Sequence, residues 1–335
     1  MPPLHNLLTD IDGIAVGHVT DLNLGSGVTA IIFDEPAIAS GSVLGGAPGG
    51  RDTALLDPSM TVEKVDAFVL SGGSAFGLDA AGGVQAGLRE IGRGFQVGST
   101  RVPIVPQAIL MDLLNSGNKD WGLHSPYRDM GYEAFKAASN QPFSLGSVGA
   151  GTGATTATLK GGLGSASAVT SGGHKIAAIV AVNAMGSATV GASRHFWAAP
   201  FEREDEFGGL GFSPQFAAAD TALRIKGVTL IATTIGAVVT DAVLTKAQAY
   251  RLSIMAHGGL ARAVLPSHLS SDGDTMFAAA TGKKPLSAAS DFTELCHLAS
   301  IVMSRAIARG VYEATALPHE GAQTSWRDHF GERTE

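Results

Sequence analysis

Cysteine is almost missing from this chain: Cys296 is the only one in 335 residues. A single thiol excludes an internal disulfide and any cysteine-rich metal site, and it suits a reducing cytoplasm, where the protein is expected to reside. Charge is scarce too. Asp, Glu, Lys and Arg supply 16% of the residues against 45% hydrophobic, the balance of a globular protein with little solvated surface to spare. Basic runs are absent. With a net charge of −7 and a pI near 5.8, neither nucleic acid nor an anionic membrane is an expected partner. No uninterrupted apolar stretch is long enough to span a bilayer, and Met1-Pro2-Pro3-Leu4-His5 lacks the basic lead-in and apolar core of an export signal.

Glycine is what the chain has in excess. There are 44, roughly twice the usual share of about 7%. They punctuate Ala/Val/Ile segments rather than forming linkers, and glycine with alanine at this density lets backbones approach one another or a ligand closely. A tightly layered α/β protein is the expectation.

Periodicity places the elements. Residues 14–19 and 27–34 read as two strands of a hairpin or meander, residues 65–70 as a strand, and residues 78–91 as a helix entered through the turn Ser71-Gly72-Gly73-Ser74-Ala75-Phe76-Gly77. That turn is not a nucleophile elbow, because Phe76 stands where the second glycine must follow Ser74. The polar insertion through Trp121, Tyr127 and Tyr132 is expected at the surface near a cleft. Residues 146–168 contain no Walker A run, since Lys160 is followed by Gly161, and a glycine-rich hairpin fits better. Residues 176–186 form an apolar strand ending at Asn183. From His195 to about Lys226 the mixed, charged text suggests an exposed linker, and the tail after Pro318 looks loose. Residues 244–263, with Thr245 as N-cap, and residues 291–315 are expected helices.

Four features carry chemistry. The run from Leu230 to Asp241 reads as a buried strand that opens with two threonines, Thr233 and Thr234. Alone, such a pair is mostly a β-former. Asn183 is either a turn former or an amide donor aimed at a developing oxyanion. Asp272-Gly273-Asp274 places two carboxylates two residues apart in a turn, without the rest of a calcium loop. His257, on or beside the apolar stripe of its helix, reads as a core histidine. No metal ligand set and no cofactor motif is present.

In order along the chain, Gly45-Gly-Ala-Pro-Gly, Leu70-Ser-Gly-Gly-Ser-Ala-Phe-Gly-Leu, Val102-Pro-Ile-Val-Pro, Gly149-Ala-Gly-Thr-Gly-Ala, Lys160-Gly-Gly-Leu-Gly-Ser-Ala-Ser, Val182-Asn-Ala, Thr233-Thr-Ile and Asp272-Gly-Asp-Thr-Met-Phe-Ala resemble the S58 (P1) peptidases. These are the DmpA-like aminopeptidases, with β-peptidyl aminopeptidases and the nylon-oligomer hydrolase among their relatives. The resemblance implies an αββα four-layer sandwich of the N-terminal-nucleophile-hydrolase type, a single domain over 1–335. It implies a chain that cuts itself at Ala232–Thr233 into residues 1–232 and 233–335. Thr233 would then be nucleophile and, through its freed amine, base; a free α-amine titrates near pH ~8, so it can accept the hydroxyl proton close to neutrality. Asn183 matches the oxyanion-stabilising Asn, and Asp272 and Asp274 match the pair that holds the nucleophile and its amine. Small peptides or amides are the implied substrates, and a homotetramer of processed pairs the implied assembly.

Three positions depart from the family pattern. Ala232 precedes the cut where relatives have Asn or Gly. Thr158 stands where the nylon hydrolase has a catalytic Lys, with Lys160 two residues on as a possible support. Met111 replaces an oxyanion-assisting Tyr, leaving the oxyanion hole to Asn183 and backbone N–H groups. Besides a self-processing Thr hydrolase, the sequence therefore leaves open an acyltransferase of the ornithine acetyltransferase type and an unprocessed, non-catalytic homologue.

Overall fold

The longest strand decides the architecture, because it belongs to two layers at once. In the computed structural model, which describes residues 4–227 and 232–331, the expected hairpin forms from β1 (Ile14–Asp21) and β2 (Ser26–Val43), with Ile14 opposite Phe33. β2 continues well past Asp34. Its first half pairs with β4 (Lys64–Ser71), the register slips between Ile32 and Ala37, and its second half pairs with β11 (Thr275–Lys284). β3 (Gly50–Arg51) and β7 (Gln107–Ile109) lie beyond β4. β10 (Ile235–Ala242), β9 (Lys175–Ala181) and β8 (Leu163–Val169) lie beyond β11, giving the order β3-β7-β4-β2-β11-β10-β9-β8. β5 (Phe95–Val97) and β6 (Thr100–Val102) form a separate ribbon.

Side-chain alternation then assigns the layers. On β9, Ile176, Ala178 and Val180 pack in one buried cluster with α3 (Lys246–Ala263) and α4 (Ala289–Tyr312); Ala177, Ile179 and Ala181 point the other way. There they meet Ile31 and Phe33 of β2 and Phe68 and Leu70 of β4. The opposite faces of β2 and β4, through Ala30, Ile32, Ala67 and Val69, pack on α1 (Ala80–Glu90) and α2 (Tyr127–Lys136). The order is helix, strand, strand, helix, the four-layer sandwich expected from the sequence. Strands buried on both faces must be apolar throughout, which is why residues 176–182 show no polar interruption. Each fully buried Ile or Val among them contributes roughly 1.5–3 kcal/mol, and each Ala less.

Thr245 caps α3, accepting the backbone N–H of Gln248. Several expectations need correction. The run at 230–241 is not strand from its start: β10 begins at Ile235, Thr233 and Thr234 precede it, and Leu230 and Ile231 lie outside the described residues. Tyr127 is fully buried and donates to Ser26 Oγ at 2.9 Å, because α2 carries it under the first sheet half. The 195–226 stretch is not exposed throughout. Phe196 and Phe207 are buried and form an aromatic cluster with Tyr312 and Trp326. The same contacts order the tail, where α5 (Trp326–Phe330) is capped by Ser325. Single aromatic residues decided these segments, and they give no periodic signal. Among the described residues no helix is long and apolar enough to cross a membrane.

Candidate active site

Thr233 sits where β10 begins, between Asn183 just past the end of β9 and Gly273 just before β11. Antiparallel pairing of β9 with β10 and parallel pairing of β10 with β11 bring those three strand ends to one level. Ala232 and Asp272 form one further parallel bridge beyond the strands. Ala232, Thr233, Thr234, Asn183, Asp272 and Asp274 come together here, whereas Lys160 lies in the neighbouring cavity. The Thr233 backbone N–H donates to the Asn183 carbonyl at 2.9 Å. Its hydroxyl donates to the carbonyl oxygen of Ala232, the preceding residue, at 2.6 Å. The Gly273 N–H donates to that same oxygen at 2.9 Å.

The Ala232 carbonyl thus accepts two donors, one of them the neighbouring hydroxyl. Gly273 is required by space: a Cβ there would lie 2.6 Å from Thr233 Oγ1 and 2.8 Å from the Ala47 carbonyl. Thr234 is turned away. Its N–H donates to Asp274 Oδ1 at 2.9 Å, while its buried hydroxyl has no hydrogen-bond partner among the described residues.

The two carboxylates are held by backbone donors. Asp272 accepts Met185 N–H at 3.3 Å and Leu269 N–H at 3.0 Å, and Asp274 accepts His268 N–H at 2.9 Å. Burial, with the Asp274 charge adding to it, pushes the Asp272 carboxyl up to about 6. Below them lies the Gly45-Gly46-Ala47 turn, whose N–H groups cap the loop carbonyls: Gly45 donates to Asp274 O and Ala47 to Asp272 O. These contacts support the acidic loop from beneath.

Asn183 is fully buried and its amide orientation is overdetermined. Oδ1 accepts the Thr155 N–H at 3.0 Å and Lys226 Nζ at 2.8 Å, both groups that can only donate, while Nδ2 donates to the Met111 carbonyl at 3.0 Å. One amide hydrogen is left over. Met111, which lacks the donor of a Tyr, enters through its backbone instead.

Lys160 and Lys226 line a cavity of about 200 Å³ together with Met111, Asp112, Thr155 and Gln323. Lys160 is buried and donates to the carbonyls of Gly151 and Gly161. Burial lowers both ammonium groups to about 7, with Asp112 pulling Lys160 partly back and Asp272, then Asp112, pulling Lys226. Thr158 takes no part, its hydroxyl pairing with Ser187. His257 is a core residue, its Nε2 at 3.1 Å from the Ser42 carbonyl.

Sequence reasoning missed Lys226, the Gly273 N–H and His268. Each acts through a loop contact that no spacing rule reports, although Gly273 inside the Asp-Gly-Asp turn was a visible hint. Among the described residues no group of three His, Cys, Asp or Glu side chains is placed to hold a metal ion.

Comparison with known proteins identifies the family. Residues 6–324 match peptidase family S58. The chain is 38% identical to an uncharacterized aminopeptidase of Mycobacterium tuberculosis, over 97% of this chain and 98% of the other. It is 39% identical to an uncharacterized aminopeptidase of Mycobacterium leprae, over 85% of this chain and 81% of the other. Among solved structures, a Burkholderia sp. beta-aminopeptidase superposes with a TM-score of 0.73 at 21% identity, covering 99% of this chain and 93% of that one. The L-aminopeptidase D-Ala-esterase/amidase of Ochrobactrum anthropi, described as a variant of the Ntn hydrolase fold, gives 0.70 at 17% identity, covering 97% and 91%. At these identities the two structures speak for the fold.

Proposed function

The chain belongs to peptidase family S58, and on that premise we propose that it is a self-processing amidohydrolase of the aminopeptidase type with Thr233 as nucleophile. The observation that carries this reading is the Thr233 hydroxyl at 2.6 Å from the Ala232 carbonyl oxygen, which the Gly273 N–H also binds. In the first reaction Thr233 Oγ attacks the Ala232 carbonyl carbon. A C–O bond forms, the Ala232–Thr233 C–N bond breaks, and the hydroxyl proton goes to the departing amine. Water then hydrolyses the ester, returning the hydroxyl and leaving residues 1–232 and 233–335.

The same geometry serves the second reaction. The freed Thr233 amine takes the hydroxyl proton, the hydroxyl attacks the carbonyl of a short peptide or small amino-acid amide, and donors at the old Ala232 oxygen position face the new oxyanion. Removing one such donor costs about 2.7–4 kcal/mol of barrier. Gly273 N–H and the spare Asn183 amide hydrogen are the donors in this reading; Asp274 holds the backbone through the Thr234 N–H, and Asp272 ties the Met185 and Leu269 N–H groups beside it.

Intact-mass measurement and denaturing electrophoresis of the purified protein test the proposal. A fragment beginning at Thr233 is expected in the wild type, and only full-length, inactive chain in Thr233→Ala. Full-length chain in the wild type with undiminished amidase activity would exclude it.

A further inference from the structure

The loop between α3 and β11 carries His268 at φ +58, in the left-handed region that few non-glycine residues enter and that His, with Asn and Asp, enters more readily than most. In that conformation both the backbone N–H and the imidazole of His268 meet one carboxylate oxygen. The N–H donates to Asp274 Oδ2 at 2.9 Å. Nδ1 lies 2.9 Å from the same oxygen, an ion-pair contact rather than an aligned hydrogen bond. The other oxygen of Asp274 accepts the Thr234 N–H, one peptide unit from the Thr233 nitrogen.

Three groups face the His268 ring: Asp274, Asp272 and His257. The His257 ring stands edge-on at 4.9 Å. Burial lowers His257 to about 4, so it is neutral near pH 7 and does not compete as a cation. Burial would lower His268 as well, but the Asp274 carboxylate, the His257 backbone carbonyl and Asp272 outweigh it and the net displacement is upward.

We propose that His268 is a positioning residue of the Thr233 centre, an imidazolium that keeps Asp274 aimed at the Thr233–Thr234 backbone while offsetting its charge. The inference rests on the reading that Thr233 becomes an N-terminal nucleophile. Its chemical content is a charge balance. A lone carboxylate beside the freed amine favours the ammonium form, which is no base; a carboxylate paired with imidazolium favours it less.

The test compares the pH dependence of kcat/KM for wild type and His268→Asn on alanine p-nitroanilide, using processed enzyme. Asn tolerates left-handed backbone; His268→Gly, which adopts it freely, is the second variant if the first unfolds. The acid limb set by the Thr233 amine should move upward by about one pH unit. An unchanged limb, or a uniform fall in rate at every pH, overturns the proposal. A second measurement stands apart from turnover: NMR titration of the His268 ring in the uncut Thr233→Ala chain. Its midpoint should lie above that of an ordinary histidine and fall when Asp274→Asn is added; a midpoint insensitive to Asp274 also overturns it. If the wild type is never cut, the Thr233 reading fails first, a result distinct from a cut enzyme whose acid limb ignores His268.

Discussion

The backbone N–H of Gly273 and the carbonyl oxygen of Ala232 are hydrogen-bonded at 2.9 Å, across a gap that leaves no room for a side chain at position 273. Gly273→Ala should therefore displace either Thr233 or the Ala47 carbonyl. Gly273 does not have a left-handed φ, so alanine adds no backbone-dihedral strain, and its effect is the crowding of Thr233 and the Ala47 carbonyl. Displacement of reacting atoms by about 1 Å costs roughly a hundred-fold in rate, and self-cleavage followed by mass spectrometry should slow by at least that order. Cleavage at the wild-type rate would show that this contact plays no part.

The two threonines should respond oppositely to the same change. Thr234→Val keeps the shape of the side chain and deletes a buried hydroxyl that has no hydrogen-bond partner among the described residues. Thermal unfolding should show stability unchanged or raised by about 1 kcal/mol, with cleavage intact. Thr233→Val should leave an uncut, inactive chain. Loss of cleavage in Thr234→Val would reassign the nucleophile.

Lys226 holds the Asn183 amide by a hydrogen bond of 2.8 Å to Oδ1. Lys226→Met removes that charged donor while Thr155 N–H keeps the oxygen partly satisfied. A hydrogen bond to a charged group contributes about 1.5–3 kcal/mol, so cleavage rate, followed by densitometry of gel bands, should fall by about ten-fold or more. Lys226→Arg should restore part of it; identical rates in all three proteins would remove Lys226 from the site.

The pH dependence has a defined sign at Asp272, whose carboxyl is raised to about 6 by burial and by Asp274. Between the ordinary Asp range near pH ~4 and about 6, the folded state binds more protons at this position than the unfolded chain. Stability from this group therefore falls as pH rises through that window and is level above it. Activity runs the other way if the ionised carboxylate is the working form, dropping as pH falls below about 6. Urea unfolding at pH 4.5, 5.5 and 6.5, set beside the rate profile, checks both; parallel curves would contradict the assignment.

Much of this was legible in residue order. The strand runs at 27–34 and 176–183 and the Thr245 cap follow from local physics, because a doubly covered strand and a helix N-terminus each have a composition that identifies them. The candidate residues Thr233, Asn183, Asp272 and Asp274 were named from ordered motifs, and the fold brings all four together. What spacing could not report was how the loops fold back at the strand ends. Lys226 meets Asn183 from a distant loop, and His268 meets Asp274 within one loop that turns back on itself.

The sequence alone determined the layered α/β architecture and the inventory of reactive groups, since periodicity and residue chemistry are properties of neighbours along the chain. Tertiary structure alone decided which threonine faces the Ala232 carbonyl, which N–H shares that oxygen, and which lysine and histidine face the site. Those relations depend on how β9, β10 and β11 end beside one another, and a strand's end acquires its partners only when its neighbours are in place.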